Sequence, residues 1–259
     1  MLRRPPPLRL DRLLRRPTVV ILTALDLEYQ AVRAHLDQPR SWQHPAGTFF
    51  EIGRPSPDAG WVAIVRTGEG NTPAALIAER AAWVFQPRAM FFVGTAGALN
   101  DTVALTDVVV ATKVYAFHGG KAEGNDFLPR PQVFEAPHGL EQLAGHVART
   151  FEWRGERAPV VHFKPIAAGE VLVNSRAGDL AEHLRRNYND AVAVDMESVG
   201  VACAGHLNRS LPVLSIRGVS DHADGTKASV SRPDEAAMNA AAFALALAAA
   251  IQAPVGRAA

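Results

Sequence analysis

Asp221, His222 and Asp224 stand within four residues of one another in the stretch VSDHAD, directly after the apolar run 211–216. Each can carry or move a proton, and each is a metal-ligand type. The stretch is therefore open to three readings: a metal site, a proton donor, or a polar turn at a strand end. Spacing weakens the metal reading. Consecutive ligands on one strand end point different ways, and the chain has no second His-rich cluster to complete a shell. No metal or other cofactor is expected.

More acids recur at comparable places along the chain. The segment 17–24, PTVVILTA, reads as a buried strand and is followed by Asp26 and Glu28. WVAIVRT is followed by Gly68-Glu69-Gly70-Asn71, AMFFV by Gly94-Thr95-Ala96-Gly97, AVAV by Asp195-Met196-Glu197, and VLSIR by Ser220-Asp221. Helical patterns separate these runs, among them TPAALIAERAAWVF, with Asn71 as a candidate N-cap, LEQLAGHVARTF, AGDLAEHLRRNY and ESVGVACAGHL. TFFEI, DVVVATKVYAF and VVHFKPIAAGEVLV add further strands, the last either one bent strand or two short ones. Continuous apolar strands alternating with helices predict an α/β fold whose central sheet is covered on both faces. Ligands in such folds sit beyond the carboxyl ends of the strands. Five strand ends thus gather small and acidic residues at one edge, and acids that repel one another need a reason to be together.

Composition narrows the classes. The chain has 259 residues, 48% of them hydrophobic, and a formal net charge of +1, which makes no case for nucleic acid or a membrane surface. Charge is uneven, because six of the Arg residues lie within residues 1–16 and the remainder is mildly acidic. Residues 1–16 read as a basic, Pro/Arg-rich flexible arm, and 17–259 as one catalytic domain. The arm has no continuous apolar segment and makes a poor signal peptide. The Ala-rich end, 240–253, reads as a packed terminal helix with Pro233 at its start, too short to span a bilayer. Cys203, the single cysteine, precludes an internal disulfide and fits a reducing, cytoplasmic setting. Among Val199, Val201 and Ala202 it reads as a small buried thiol.

Each motif has a bland reading. TGEGNT (67–72) either cradles a phosphate on backbone N–H groups or turns tightly into a helix, and it lacks the Lys-Ser/Thr of a P-loop. The glycines of VGTAGAL either admit a ligand to the backbone or turn the chain. Glu197, opening a helix, is either a structural acid favoured by the helix dipole or an acceptor for adjacent sugar hydroxyls, with the Met196 thioether suited to an apolar sugar face.

Six segments, ILTALDLEYQAV, TGEGNTPAAL, FFVGTAGAL, AAGEVLVNS, VDMESVGVA and IRGVSDHADG, occur in the order and spacing of the nucleoside phosphorylase/nucleosidase superfamily. The chain most resembles its 5′-methylthioadenosine/S-adenosylhomocysteine nucleosidase branch and the related nucleosidase domains of bacterial defence proteins. The resemblance covers roughly residues 18 to 252. It implies a three-layer α/β/α fold with a mixed, partly barrel-like sheet, N-glycosidic bond cleavage in a purine nucleoside or nucleotide, and a homo-oligomer, commonly a dimer. By position, Glu28 matches the carboxylate that activates the attacking water, and Arg217 an Arg near both. Thr95, Ala96 and Gly97 match the turn beside the sugar. Leu172 and Val173 match the base pocket, although Leu172 stands where a Phe commonly stacks on adenine. Met196 and Glu197 match ribose contacts, Asp221 the acid at purine N7, and Ser220 its neighbour.

The chemistry makes those roles sensible. The sugar becomes oxocarbenium-like as the glycosidic bond breaks, and a proton at N7 turns the purine into a neutral leaving group. Asp221 must then hold or share a proton, while Glu28 must stay ionised to orient water. Phosphorylases of the superfamily need cations for phosphate. Here Phe92 occupies a position that holds an Arg in the hexameric branch, and the first loop offers carboxylates, which repel phosphate. Hydrolysis is therefore the favoured reading, with a phosphorylase and a non-catalytic nucleotide sensor as alternatives. Lys121, Arg130 and Lys164, with His118, are candidates for a 5′-phosphate or for ordinary solvated loops.

Overall fold

The computed structural model describes residues 18–124, 126–150, 153, 159–225 and 231–252. The basic arm, residues 1–16, lies outside the described residues.

Five strands build the part of the sheet that carries the site. They are β1 (Val19–Thr23), β4 (Val62–Arg66), β5 (Ala89–Ala98), β11 (Ala193–Asp195) and β12 (Val213–Asp221). β2 (Asp37–Gln43), β3 (Phe49–Arg54), β6 (Val108–Ala116), β9 (Gln132–Glu135) and β10 (Val161–Ala168) complete a ten-stranded sheet. Its order is β11-β10-β6-β12-β5-β1-β4-β3-β2, with β9 on β6. β7 (Gly120–Glu123) and β8 (Asp126–Pro129) form a separate antiparallel pair. β11 also pairs with β5, which closes β11, β10, β6, β12 and β5 into a ring. Three of its pairings are parallel, β11–β10, β10–β6 and β12–β5, and two are antiparallel, β6–β12 and β5–β11. The sheet is thus mixed and partly barrel-like.

Three cores explain why the central strands read as unbroken apolar runs. Val19 and Ile21 of β1, with Phe91 and Val93 of β5, pack on the side of α1 (Asp26–Arg33), α3 (His138–Thr150) and α6 (Pro233–Gln252). Val20, Leu22, Met90 and Phe92 alternate to the other side, against α2 (Asn71–Phe85) and α5 (Ser198–Leu207). Burial on both faces replaces alternation with continuous hydrophobicity. The third core takes Ala96, Ala98, Val109, Ala111, Val114, Ile166, Ala168, Ala193 and Val219 from all five ring strands and fills the ring. Its small residues suit the narrow interior of so few strands.

Several local expectations change. The glycine stretch 94–97 does not turn, because β5 runs through it to Ala98 and pairs with β12 and then β11. Of VVHFKPIAAGEVLV only Val161–Ala168 is strand, β10, with a register shift between Lys164 and Ile166 around Pro165, which cannot donate to the ladder, and GEVLV continues as irregular chain. α6 runs from Pro233 to Gln252 and is long and apolar enough, by composition, to cross a membrane, contrary to the shorter reading. It instead packs its buried face, including Ala240, Phe243, Ala244 and Leu247, against the sheet and α1. β2, β7, β8 and β9 went unread because they are short or largely exposed segments with polar residues. Cys203 is half-buried, not enclosed.

Candidate active site

The strand ends do converge. A cavity of about 270 Å³ is lined by Glu28, Glu69, Thr95, Ala96, Gly97, Leu172, Val173, Asp195, Met196, Glu197, Ser220 and Asp221, with Ala24, Leu25, Val171 and Val194 completing the wall. Every candidate contact named from the sequence for water, sugar or base is on that wall except Arg217, which lies fully buried behind it. Lys121, Arg130 and Lys164 do not line it. Lys121 pairs with Glu123 at 2.9 Å on the β7–β8 pair, and Lys164 is exposed on β10, several residues before its carboxyl end. Asp26 also stays outside, at the surface 3.3 Å from Arg66.

Glu28 sits in the first turn of α1 and is 2% exposed. Its Oε2 accepts from the backbone N–H groups of Ala24 (2.9 Å) and Leu25 (3.0 Å). Its Oε1 accepts from the N–H and the hydroxyl of Thr95, at 2.7 and 3.0 Å. All four groups donate, an arrangement that matches an ionised carboxylate, which only accepts. Thr95 is thereby a holder of Glu28 as well as a wall of the cavity.

Arg217, in the middle of β12, is 0% exposed. Its Nε donates to Asp195 Oδ2 at 2.8 Å, its Nη2 to Ser198 Oγ at 3.3 Å, and its guanidinium carbon lies 4.0 Å from the centre of the Phe92 ring. Phe92 is therefore the surface on which the arginine stacks. The Nη1 group has no hydrogen-bond partner among the described residues. It approaches Glu28 across Gly94. A Cβ on that glycine would stand 2.4 Å from Nη1 and 2.6 Å from Glu28 Oε1, closer than real side chains come. Gly94 is thus glycine to let an arginine and a carboxylate meet over bare backbone.

Asp195 is the residue whose role sequence reading missed. Its Oδ1 accepts from the N–H groups of Glu197 (3.2 Å) and Ser198 (3.0 Å), and its Oδ2 from the Ser198 hydroxyl and from Arg217. It is the structural acid at the start of α5. Glu197 is released from that duty. Its Oε1 accepts from Gly70 N at 3.0 Å and its Oε2 lies 3.8 Å from Arg217 Nη2. Gly70 can aim its N–H so because it holds a φ of 95°, open to glycine and costly for other residues. Burial pushes the Glu197 carboxyl up to about 7, and the neighbouring charges of Asp195 and Glu28 add to that against Arg217 and the Gly70 N–H.

Asn71 does not cap α2, whose N-cap is Gly70. Its side chain instead ties the chain just after β10 to the first turn of α5, donating to Gly169 O at 2.9 Å and accepting from Gly200 N at 2.9 Å. Asp221, 7% exposed, accepts from Ala223 N at 2.9 Å, and the Ser220 hydroxyl lies 2.9 Å from its Oδ2. A Cβ on Gly97 would lie 3.2 Å from Asp221 Oδ1. Glu28 meets β5 at Gly94 and Asp221 meets it at Gly97, so the two points of contact lie about 10 Å apart along the strand, and both residues line the one cavity. His222 and Asp224 do not join Asp221 in a ligand set, and among the described residues no group of three or more His, Cys, Asp or Glu is placed to hold a metal ion.

A ring-closed mixed sheet between two helical layers, with acids at its strand ends, defines a family. The chain belongs to the phosphorylase superfamily, whose family model matches residues 18–253. It is 28% identical over 249 residues to the ATP nucleosidase Cap17 of Escherichia coli strain KTE188, a match that covers 84% of this chain and 48% of that one. The chain thus spans about half the length of the curated relatives it matches. Among solved structures it is similar to a 5′-methylthioadenosine/S-adenosylhomocysteine nucleosidase from Streptococcus pneumoniae bound to a transition-state inhibitor. Identity there is 26%, coverage 90% of this chain and 99% of that one, and the TM-score 0.74. The futalosine hydrolase of Helicobacter pylori strain 26695, 20% identical with a TM-score of 0.74 over 90% and 97% of the two chains, shares the fold.

Proposed function

We propose that this protein hydrolyses the N-glycosidic bond of an adenine nucleoside or nucleotide, releasing free base and sugar. The observation that carries the reading is the approach of Glu28 Oε1 and the unpartnered Arg217 Nη1 to one point over Gly94, three residues along β5 from Gly97, beside which Asp221 stands. A water held between that carboxylate and that guanidinium attacks the anomeric carbon. Its proton passes to Glu28, its oxygen bonds to C1′, and the C1′–N9 electrons stay with the base, which takes a proton at N7 from Asp221. The Glu197 carboxylate accepts from the 2′ and 3′ hydroxyls, and Met196 lies against the sugar.

The cavity's own charge favours water over phosphate as nucleophile. Five carboxyl groups line it, among them Glu28 and Glu69 with no paired cation and Asp195 paired with Arg217, and no Lys or Arg is among its lining residues. A phosphate anion there meets net repulsion. The names of the relatives, an ATP nucleosidase and a methylthioadenosine/adenosylhomocysteine nucleosidase, support adenine as the base. Val171 and Leu172 line the cavity yet remain 48% and 60% exposed. A second copy of the chain covering them is the assembly this reading expects, and sedimentation of the purified protein checks it.

Incubation with adenosine, methylthioadenosine, adenosylhomocysteine, AMP and ATP, followed by chromatography for free adenine, tests the activity. Release from at least one substrate is expected. Tight binding without release from any of them would instead make the protein a sensor.

A further inference from the structure

Glu69 is the one carboxyl of the cavity wall that the proposed reaction leaves without a task. It is exposed, and its side chain makes no hydrogen bond or ion pair among the described residues.

The sheet fixes where along the cavity Glu69 stands. β12, β5, β1 and β4 lie side by side in that order. Asp221 ends β12, and Glu69 follows the last residue of β4, Arg66, after a short bend. With neighbouring strands about 4.8 Å apart, about 14 Å of sheet separates β12 from β4. Thr95 of β5 and Glu28, which follows β1, line the wall between them. Gly70, next after Glu69, donates to Glu197 Oε1 at 3.0 Å. In the proposed reaction, on which this inference rests, purine N7 faces Asp221 and the 2′ and 3′ hydroxyls face Glu197. The 5′ carbon leaves the ribose on the side away from the base, and so points to the β4 end of the cavity, at Glu69.

Charge at that end has one sign. Glu170, next to the wall residue Val171, brings a second carboxylate. Its Oε2 lies 3.4 Å from Asn71 N and 3.3 Å from where a Cβ on Gly70 would stand. His118 Nδ1 accepts from Glu170 N at 3.0 Å, so that ring nitrogen carries no proton. Arg66 is turned to Asp26 and is not on the wall. A phosphate on the 5′ carbon would meet carboxylates there and no cation of the wall. A hydroxyl or an ammonium would give Glu69 the donor it lacks.

We propose that Glu69 selects the substrate by its 5′ group, accepting a hydrogen bond from a 5′ hydroxyl or ammonium and turning phosphates away. The substrate class is then a purine nucleoside with a neutral or cationic 5′ group, not a nucleotide.

Adenine release and calorimetric binding are measured for 5′-amino-5′-deoxyadenosine, adenosine and AMP, on the full chain and on its Glu69→Gln and Glu69→Lys variants. kcat/KM is expected to fall in that order in the unaltered chain. The amine should exceed adenosine by about fivefold, as for an ion pair at the wet end of a cavity, and AMP should trail adenosine by about tenfold or more. In Glu69→Gln, which keeps the shape and loses the charge, the advantage of the amine should vanish. In Glu69→Lys, AMP should overtake the amine. AMP cleaved as well as adenosine by the unaltered chain would overturn the proposal, and so would an order of preference that neither variant changes. If no member of the series released adenine, the cleavage reading would fail by itself, and the calorimetric order of the same three ligands would decide the role of Glu69 by the same criteria. Absence of binding by all three would overturn both.

Discussion

Arg217 Nε and Asp195 Oδ2 stand 2.8 Å apart, with neither side chain reaching solvent by more than 2%. Removing one member of such a buried pair leaves the other charge uncompensated, at a cost of about 3–5 kcal/mol. Asp195→Ala is expected to lose about that much in denaturant unfolding. The double variant Asp195→Ala with Arg217→Met should recover part of the stability, but not activity, because the donor facing Glu28 is gone.

Gly94→Ala tests the meeting of Glu28 and Arg217. The added methyl would overlap both Arg217 Nη1 and Glu28, and one of them must move. Displacing a reacting group by about 1 Å costs about 100-fold in rate. A fall of that size in kcat/KM for adenine release is expected, together with a lower Tm.

Glu28→Gln and Asp221→Asn should each reduce kcat by about 100-fold to 10,000-fold, the range for a lost general base or acid, while the fold survives. The two differ in stability. A Gln amide at position 28 turns an NH₂ toward some of the four donors that now meet an acceptor, which costs about 1–3 kcal/mol. Paired melting and activity measurements separate the two effects.

Glu197 sets a pH dependence. Burial raises its carboxyl from 4.5 to about 7, so the folded chain keeps a proton that the unfolded chain gives up. Its contribution to stability is therefore full below about pH 4.5 and is lost as pH rises through about 7. Ligand binding runs the other way, since sugar hydroxyls donate to the ionised form. Affinity for a ribose-bearing inhibitor should rise across the same window. In Glu197→Gln both dependences should flatten, as melting and calorimetry from pH 4.5 to 8 would show.

Much of this site was legible in the sequence because a buried strand announces itself on two faces at once. Val19 to Leu22 and Met90 to Val93 read as strands because one core takes the odd positions and another the even. Once the strands were placed, their carboxyl ends named Glu28, Glu197 and Asp221. What could not be read depended on contacts distant in sequence. Asp195 looked like one more acid until Arg217, 22 residues on, was seen to need it. Asn71 looked like a cap until Gly169 and Gly200 came to its side chain. The Gly94–Gly97 stretch looked like a turn because nothing local says that β11 will pair with its end and close a ring. The burial of Tyr188 left no trace in the sequence, since it depends on packing against α4 (Asp179–Asn187) and the loop that carries Ala223.

In the proposed reaction water, not phosphate, attacks the sugar. The most direct test is to follow adenine release from adenosine and its 5′-substituted forms with and without inorganic phosphate and chelator, identifying the sugar product by mass spectrometry. Free sugar is expected, at a rate indifferent to both additions. Phosphate-dependent release with a sugar 1-phosphate as product would contradict it, and loss of release in chelator would contradict the metal-free placement of Glu28 and Asp221.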